Sequence, residues 1–88
     1  MKAIVTITPR RGVLDPQGLA VRSALTSLGF GGVAAARVGK VVELDLEAAG
    51  EAEARVIVES MCSRLLANPV LEEYSFRIVA EPVAETRR

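Results

Sequence analysis

The sequence predicts an α+β domain of βαββαβ order, a four-stranded antiparallel sheet with two helices packed on one face. Three observations carry that prediction. Alternating apolar residues mark strands near both ends of the chain, and a Gly-Lys pair separates two runs containing β-branched residues. Two further segments carry helical periodicity, one opened by Asp-Pro and the other closed by Asn-Pro.

Over residues 1–8, Ala3, Val5 and Ile7 alternate with Lys2, Ile4, Thr6 and Thr8, which is the period of a strand. Pro9 ends it, and Arg10, Arg11 and Gly12 form a loop. Asp15 is a good N-cap because its carboxylate accepts from the orphan N–H groups of a first helical turn. Pro16 then falls at the first helical position, where its missing N–H costs nothing. Leu14 and Leu19 have the spacing of a hydrophobic staple. Val21, Ala24, Leu25 and Leu28 continue at helical spacing, and Gly29 suits the left-handed position after a helix. The spacing therefore predicts a helix over residues 16–28.

Phe30, Gly31 and Gly32 form a turn. Residues 33–38 and 41–46 are expected to pair as a hairpin through Gly39-Lys40, with Val42, Leu44 and Leu46 opposite Val41, Glu43 and Asp45. A second helix is expected over residues 51–67, with Ala54, Val58, Met61 and Leu65 as its stripe and Glu51 and Glu53 at its positive end. Asn68-Pro69 stops it. A last strand spans residues 74–80, with Tyr74, Phe76 and Ile78 on one face. Residues 1–81 make one domain and residues 82–88 a flexible tail. This order is the ferredoxin-like split βαβ arrangement. Helices on one face leave the other bare, and there Ile4, Val79 and either Val41 or Val42 stay apolar. That surface is the expected interface of a homodimer or higher homo-oligomer.

Composition narrows the function. A chain of 88 residues folds as one domain with a radius of gyration of about 12 Å. It buries only ~60–65% of its unfolded surface, so partners have stability to add. Lys and Arg number 11, Asp and Glu 11, and only Phe30, Tyr74 and Phe76 are aromatic, which argues against nucleic acid. A lone Cys62 excludes disulfide and C-x-x-C sites, and the absence of His excludes Ser-His and Cys-His pairs. No apolar run approaches the ~20 residues of a membrane span. A soluble, cytoplasmic module is expected, without metal or cofactor of its own.

The residues that could carry chemistry each have a plainer role. Arg10 and Arg11 before a helix N-terminus could hold an anion, but Asp15 already occupies the first-turn donors. Gly12 and Gly39 fit turn geometry, whereas Gly18, three residues into a helix, points to close approach by another backbone. Arg37 and Lys40 could pair with a partner's acidic groups. Cys62 reads as a buried small hydrophobe, and Glu72-Glu73 as charge at a turn. No set of residues assembles an active site.

The motif Pro9-Arg10-Arg11-Gly12-Val13-Leu14-Asp15-Pro16-Gln17-Gly18, with Ala24-Leu25, Leu28-Gly29-Phe30 and Val38-Gly39-Lys40, then Met61-Cys62 and Leu65-Leu66-Ala67-Asn68-Pro69-Val70, resembles the PurS family. PurS is the small subunit of phosphoribosylformylglycinamidine (FGAM) synthase. The resemblance implies a non-catalytic assembly role in de novo purine (IMP) biosynthesis. The enzyme converts formylglycinamide ribonucleotide to the amidine with ATP and nitrogen from glutamine. A glutaminase subunit, PurQ, releases ammonia, and a synthetase subunit, PurL, binds substrate with ATP and Mg. PurS bridges the two and supports ammonia transfer. Carried over residue by residue, the implied partner contacts are Arg10, Arg11, Gly12, Val13, Leu14, Asp15, Pro16, Gln17, Gly18, Arg37, Gly39, Lys40, Asn68 and Pro69. Arg10-Arg11 stands where the family commonly has a lysine, keeping charge but changing hydrogen-bond geometry. Two other classes share this element order: an ACT-like domain binding a small regulatory ligand near Gly12 and Asp15, and an RNA-binding sheet. The latter is disfavoured by the lack of aromatic residues in the first and third strands.

Overall fold

The computed structural model describes residues 1–79. Alternation decides the central strand: in β1 (Lys2–Pro9), Ala3, Val5 and Ile7 are fully buried and their neighbours are not. Strand β2 (Lys40–Asp45) pairs antiparallel on one side of β1 and strand β3 (Glu72–Val79) on the other. The registers place Val42 and Phe76 opposite Val5, and Leu44 and Ile78 opposite Ala3. These residues line one face, which becomes the core. Helix α2 (Glu51–Met61) lays Ala54 and Val58 on that face. It runs into a π-helical turn (Cys62–Leu66), closed by Ala67 N donating to the Cys62 carbonyl at 3.1 Å, which buries Cys62 and Ala67 in the same cluster.

Helix α1 (Pro16–Ser27) begins as its residues dictate. Asp15 Oδ1 accepts from Gly18 N at 3.1 Å, and Pro16 follows the cap. It ends in a Schellman motif. Gly29 takes φ 101, Gly29 N donates to Thr26 O at 3.0 Å, and Phe30 N donates to Leu25 O at 2.9 Å. Leu14 and Leu19 stay largely exposed, so no buried staple forms.

The structure corrects the expected four-stranded sheet. Among the described residues the sheet has three strands, ordered β2-β1-β3, because residues 33–39 join no sheet. A Gly-X hairpin turn needs a positive φ at its glycine, and Gly39 lacks one. Gly39 serves close packing: a Cβ there would lie 2.2 Å from the Ile7 carbonyl oxygen. Three alanines, poor strand formers, occupy positions 34–36. The polar groups along the segment bond elsewhere: Val38 N donates to Asp15 Oδ2 at 2.9 Å and Arg22 Nε to Val33 O at 2.9 Å.

The expectation of two helices on one sheet face is corrected as well. No residue of α1 joins the core cluster, and Gly18 is its one buried residue. Val21 and Leu28, from the stripe that would face the sheet, are exposed by 42% and 73%. The chain is correspondingly extended. Its radius of gyration is 16.5 Å, where about 12 Å is expected of a compact domain this long. The expected tail, residues 82–88, and the last two residues of the predicted domain lie outside the described residues.

Burial, and then the charge of Glu59, push the Cys62 thiol above its ordinary value. A neutral buried thiol is a poor nucleophile. Cys62 should therefore resist a thiol reagent in the native protein and react at once in denaturant, which mass spectrometry would read. Rapid native labelling would contradict this packing.

Candidate functional site

Three segments far apart in sequence converge at the end of the sheet where β1 finishes and β2 and β3 begin. Arg10 reaches across it. Its Nε and Nη2 donate to the Pro69 carbonyl at 3.1 and 2.9 Å, and its backbone N–H donates to Leu71 O at 2.9 Å. Arg37 closes the second side, with Nη1 donating to Pro9 O at 2.8 Å and lying 3.5 Å from a Glu73 carboxylate oxygen. Asp15 closes the third: one carboxylate oxygen caps α1 at Gly18 and the other holds Val38 N. These hydrogen bonds, first that from Val38 and then that from Gly18, hold the Asp15 carboxyl below its ordinary value of 3.8.

The turn at Asn68 and Pro69 is built the same way. Asn68 Oδ1 accepts from Val70 N at 2.9 Å, and Glu72 Oε1 accepts from Asn68 N at 2.8 Å. Gly12 takes φ 87, a conformation side chains rarely adopt, to turn the loop toward Asp15. Gly18 answers the question its position raises. A Cβ there would sit 2.2 Å from the Ala36 carbonyl oxygen, so the backbone it admits belongs to residues 33–39 of the same chain.

The implied contact residues therefore form one surface, though not all in the way their chemistry suggests. Arg10 is a staple to Pro69 and does not point a free guanidinium at an anion. Arg11 and Lys40 are exposed, and their side chains make no hydrogen bond or ion pair among the described residues. Leu14, Val70 and Leu71 are exposed beside them. A patch that mixes free cations with uncovered Leu and Val suits a protein partner. Among the described residues no group of His, Cys, Asp and Glu could hold a metal ion.

The expected oligomer residues lie elsewhere and divide between faces. Ile4, Val41 and Val79 share the bare face, where each neighbours polar groups: Ile4 lies between Glu43 and Arg77, Val41 opposite Thr6, and Val79 opposite Lys2. Val42 does not join them. It is half-buried against the core, because its register opposite Val5 turns it to the helix side. The bare face carries no ring, since Tyr74 and Phe76 also pack on the core. Sequence reasoning missed the bond from Tyr74 Oη to the Glu59 carboxylate, which raises the Tyr74 hydroxyl above its ordinary value.

The comparisons with known proteins decide the family. The model of the PurS family, described as phosphoribosylformylglycinamidine (FGAM) synthase, matches residues 2–80. The chain belongs to the PurS family. The PurS subunit of Synechocystis sp. is 50% identical over 76 residues, covering 86% of this chain and 76% of that protein. The PurS structure from Methanocaldococcus jannaschii is described as one of the subunits of formylglycinamide ribonucleotide amidotransferase in the purine biosynthetic pathway. It superposes with a TM-score of 0.75 at 38% identity, covering 86% of this chain and 92% of that one. A chain in the structure of PurLQS from Thermotoga maritima gives a TM-score of 0.78 at 36% identity, covering 86% of this chain and 93% of its own length. This PurS chain is a subunit of a glutamine-dependent ligase, and its gathered side chains hold backbone in place.

Two outcomes check the geometry. Gly18→Ala should lower stability by about 1–2 kcal/mol through the clash with Ala36, although helix propensity alone would raise it by about 1 kcal/mol. A denaturant melt shows which wins. The Asp15 contribution should be complete above pH 3.8 and fade as the pH falls through its depressed native value. Asp15→Asn should flatten that stretch of the stability curve, and an unchanged acid limb would contradict the bridge.

Proposed function

We propose that this chain is the non-catalytic assembly subunit of FGAM synthase, bridging PurQ and PurL and supporting ammonia transfer in de novo purine biosynthesis. The observation that supports it is the convergence of residues 10–18, 37–40 and 68–69 on one end of the sheet. Those residues spend their hydrogen bonds fixing loop backbone, which is what a rigid docking surface requires and what a reaction centre does not. Arg11, Lys40, Leu14 and Val70 then face the larger subunits. ATP and Mg belong on the synthetase subunit, the glutamine chemistry on PurQ, and the complex in the cytoplasm. No helix among the described residues is long and apolar enough to cross a membrane.

The ligand-sensing alternative finds less support. The polar groups around Gly12 and Asp15 that would greet an amino acid are already bonded to Gly18 and Val38.

Reconstitution tests the proposal. Purified PurQ and PurL should form the amidine from glutamine only when this chain is added, whereas high concentrations of free ammonia should bypass the requirement. Glutamine-dependent turnover that proceeds unchanged without the chain would overturn it.

A further inference from the structure

The chain divides its charge unevenly. Residues 1–42 carry Lys2, Arg10, Arg11, Arg22, Arg37 and Lys40 against Asp15 alone, whereas residues 43–53 carry five carboxylates and no Lys or Arg. A formal net charge of zero therefore conceals an asymmetric field. Antiparallel pairing spreads it along the sheet: Asp45 lies opposite Lys2 at one end, and Lys40 opposite Ile7 toward the other. At that second end the carboxylates are already engaged, Asp15 with Gly18 and Val38, Glu72 with Asn68 N, and Glu73 with Arg37. The side chains of Arg11 and Lys40 are what is left over.

Two tight turns meet at the same place. In the first, Val13 N donates to Arg10 O at 3.2 Å and Gly12 takes φ 87, which sets Arg11 at the corner. In the second, Leu71 N donates to Asn68 O at 3.1 Å and Val70 N to Asn68 Oδ1 at 2.9 Å, which sets Pro69 and Val70 at the corner. Arg10 clamps one turn to the other: its guanidinium donates to Pro69 O and its backbone N–H to Leu71 O, on either side of Val70. Val70 is nevertheless 76% exposed, and so is Leu14 just beyond the first turn. An apolar side chain on backbone this firmly held has already lost much of the freedom that binding would otherwise cost.

We infer that the twin turns dock on a face of a larger subunit in which carboxylates rim an apolar socket, an inference that rests on the assembly role proposed above. Val70 enters the socket, with Leu14 beside it. Arg11 and Lys40 meet the carboxylates at the rim, where charge governs the rate of encounter more than the lifetime of the complex. Arg10 touches no partner and acts as a positioning residue, keeping the anchor in register with the cations. A nucleic acid suits this surface less well. Apolar side chains stand between its cations, and Tyr74 and Phe76, which could stack on bases, pack against the core.

Binding kinetics of the full chain with purified PurL and PurQ, with glutamine and Mg-ATP in the buffer, test this. Association of the wild type with at least one of them should slow as salt rises. Arg11→Glu with Lys40→Glu changes only exposed residues, so the fold should persist by circular dichroism. Association should fall about 10-fold or more at low salt and lose its salt dependence. Val70→Ala should instead raise the dissociation rate about 5-fold or more, as loss of a central anchor does. Arg10→Lys keeps the charge and loses the fork, so dissociation should quicken while the salt dependence of association stays. A double variant that associates like the wild type, a Val70→Ala chain that dissociates no faster, or an Arg10→Lys chain with wild-type kinetics would each overturn the inference. So would retention of single-stranded RNA at about 0.15 M salt. If the wild type supports glutamine-dependent turnover in those cases, the assembly role stands and only the docking chemistry falls. A wild type that neither binds nor supports turnover overturns both.

Discussion

The Asp15 carboxylate holds two pieces of backbone that are distant in sequence. One oxygen caps α1 at Gly18, and the other fixes Val38, 23 residues later. A cap alone would start a helix and leave its direction open. The second bond ties that helix to the segment leading into β2, and the absence of a side chain at Gly18 lets the Ala36 carbonyl close against it. Neither contact stands well without the other. Together they turn a helix, a loop and an irregular strand-like segment into one arm anchored where β1 ends.

That anchoring explains why the residues whose partner contacts the motif implies cluster in this PurS chain. The Asp15 bridge positions residues 10–18 against 36–38, the Arg37 guanidinium ties the segment to Pro9, and Arg10 ties the loop to Pro69. Every one of these bonds is charge-assisted, and each ends on a backbone group whose place the surrounding chain already constrains. The surface left over is small, preorganised and partly apolar. The same arrangement holds α1 off the sheet, so the core rests on few side chains. Ile7, Val5, Val58 and Cys62 are the largest that are fully buried. A domain with so little interior gains stability from the proteins it meets, which fits a subunit whose work is assembly.

Much of this was legible in the sequence where the determining forces are local. The Asp15-Pro16 start, the Gly29 stop and the alternation of Ala3, Val5 and Ile7 act within a few residues, and each appears as expected. What failed depended on distant groups. Gly39 reads as a hairpin turn until the Ile7 carbonyl is seen packed against it. Arg10 reads as a free cation until Pro69, 59 residues away, is brought beneath it. The stripe of α1 reads as a core face in the sequence, yet Val21 and Leu28 stay exposed because residues 33–39 hold the helix through Asp15 and Arg22. The motif resemblance singled out residues 10–18, 37–40 and 68–69, and the hydrogen bonds supply the reason those residues belong together.

Amide hydrogen exchange tests the central claim most directly, because the bridge is a bond to one identifiable N–H. In the native protein the Val38 amide, which lies in no sheet, should be protected, and its protection should disappear in Asp15→Ala while Val5 in the central strand keeps its own. Free exchange at Val38 in the wild type, or protection that survives the loss of the carboxylate, would contradict the account.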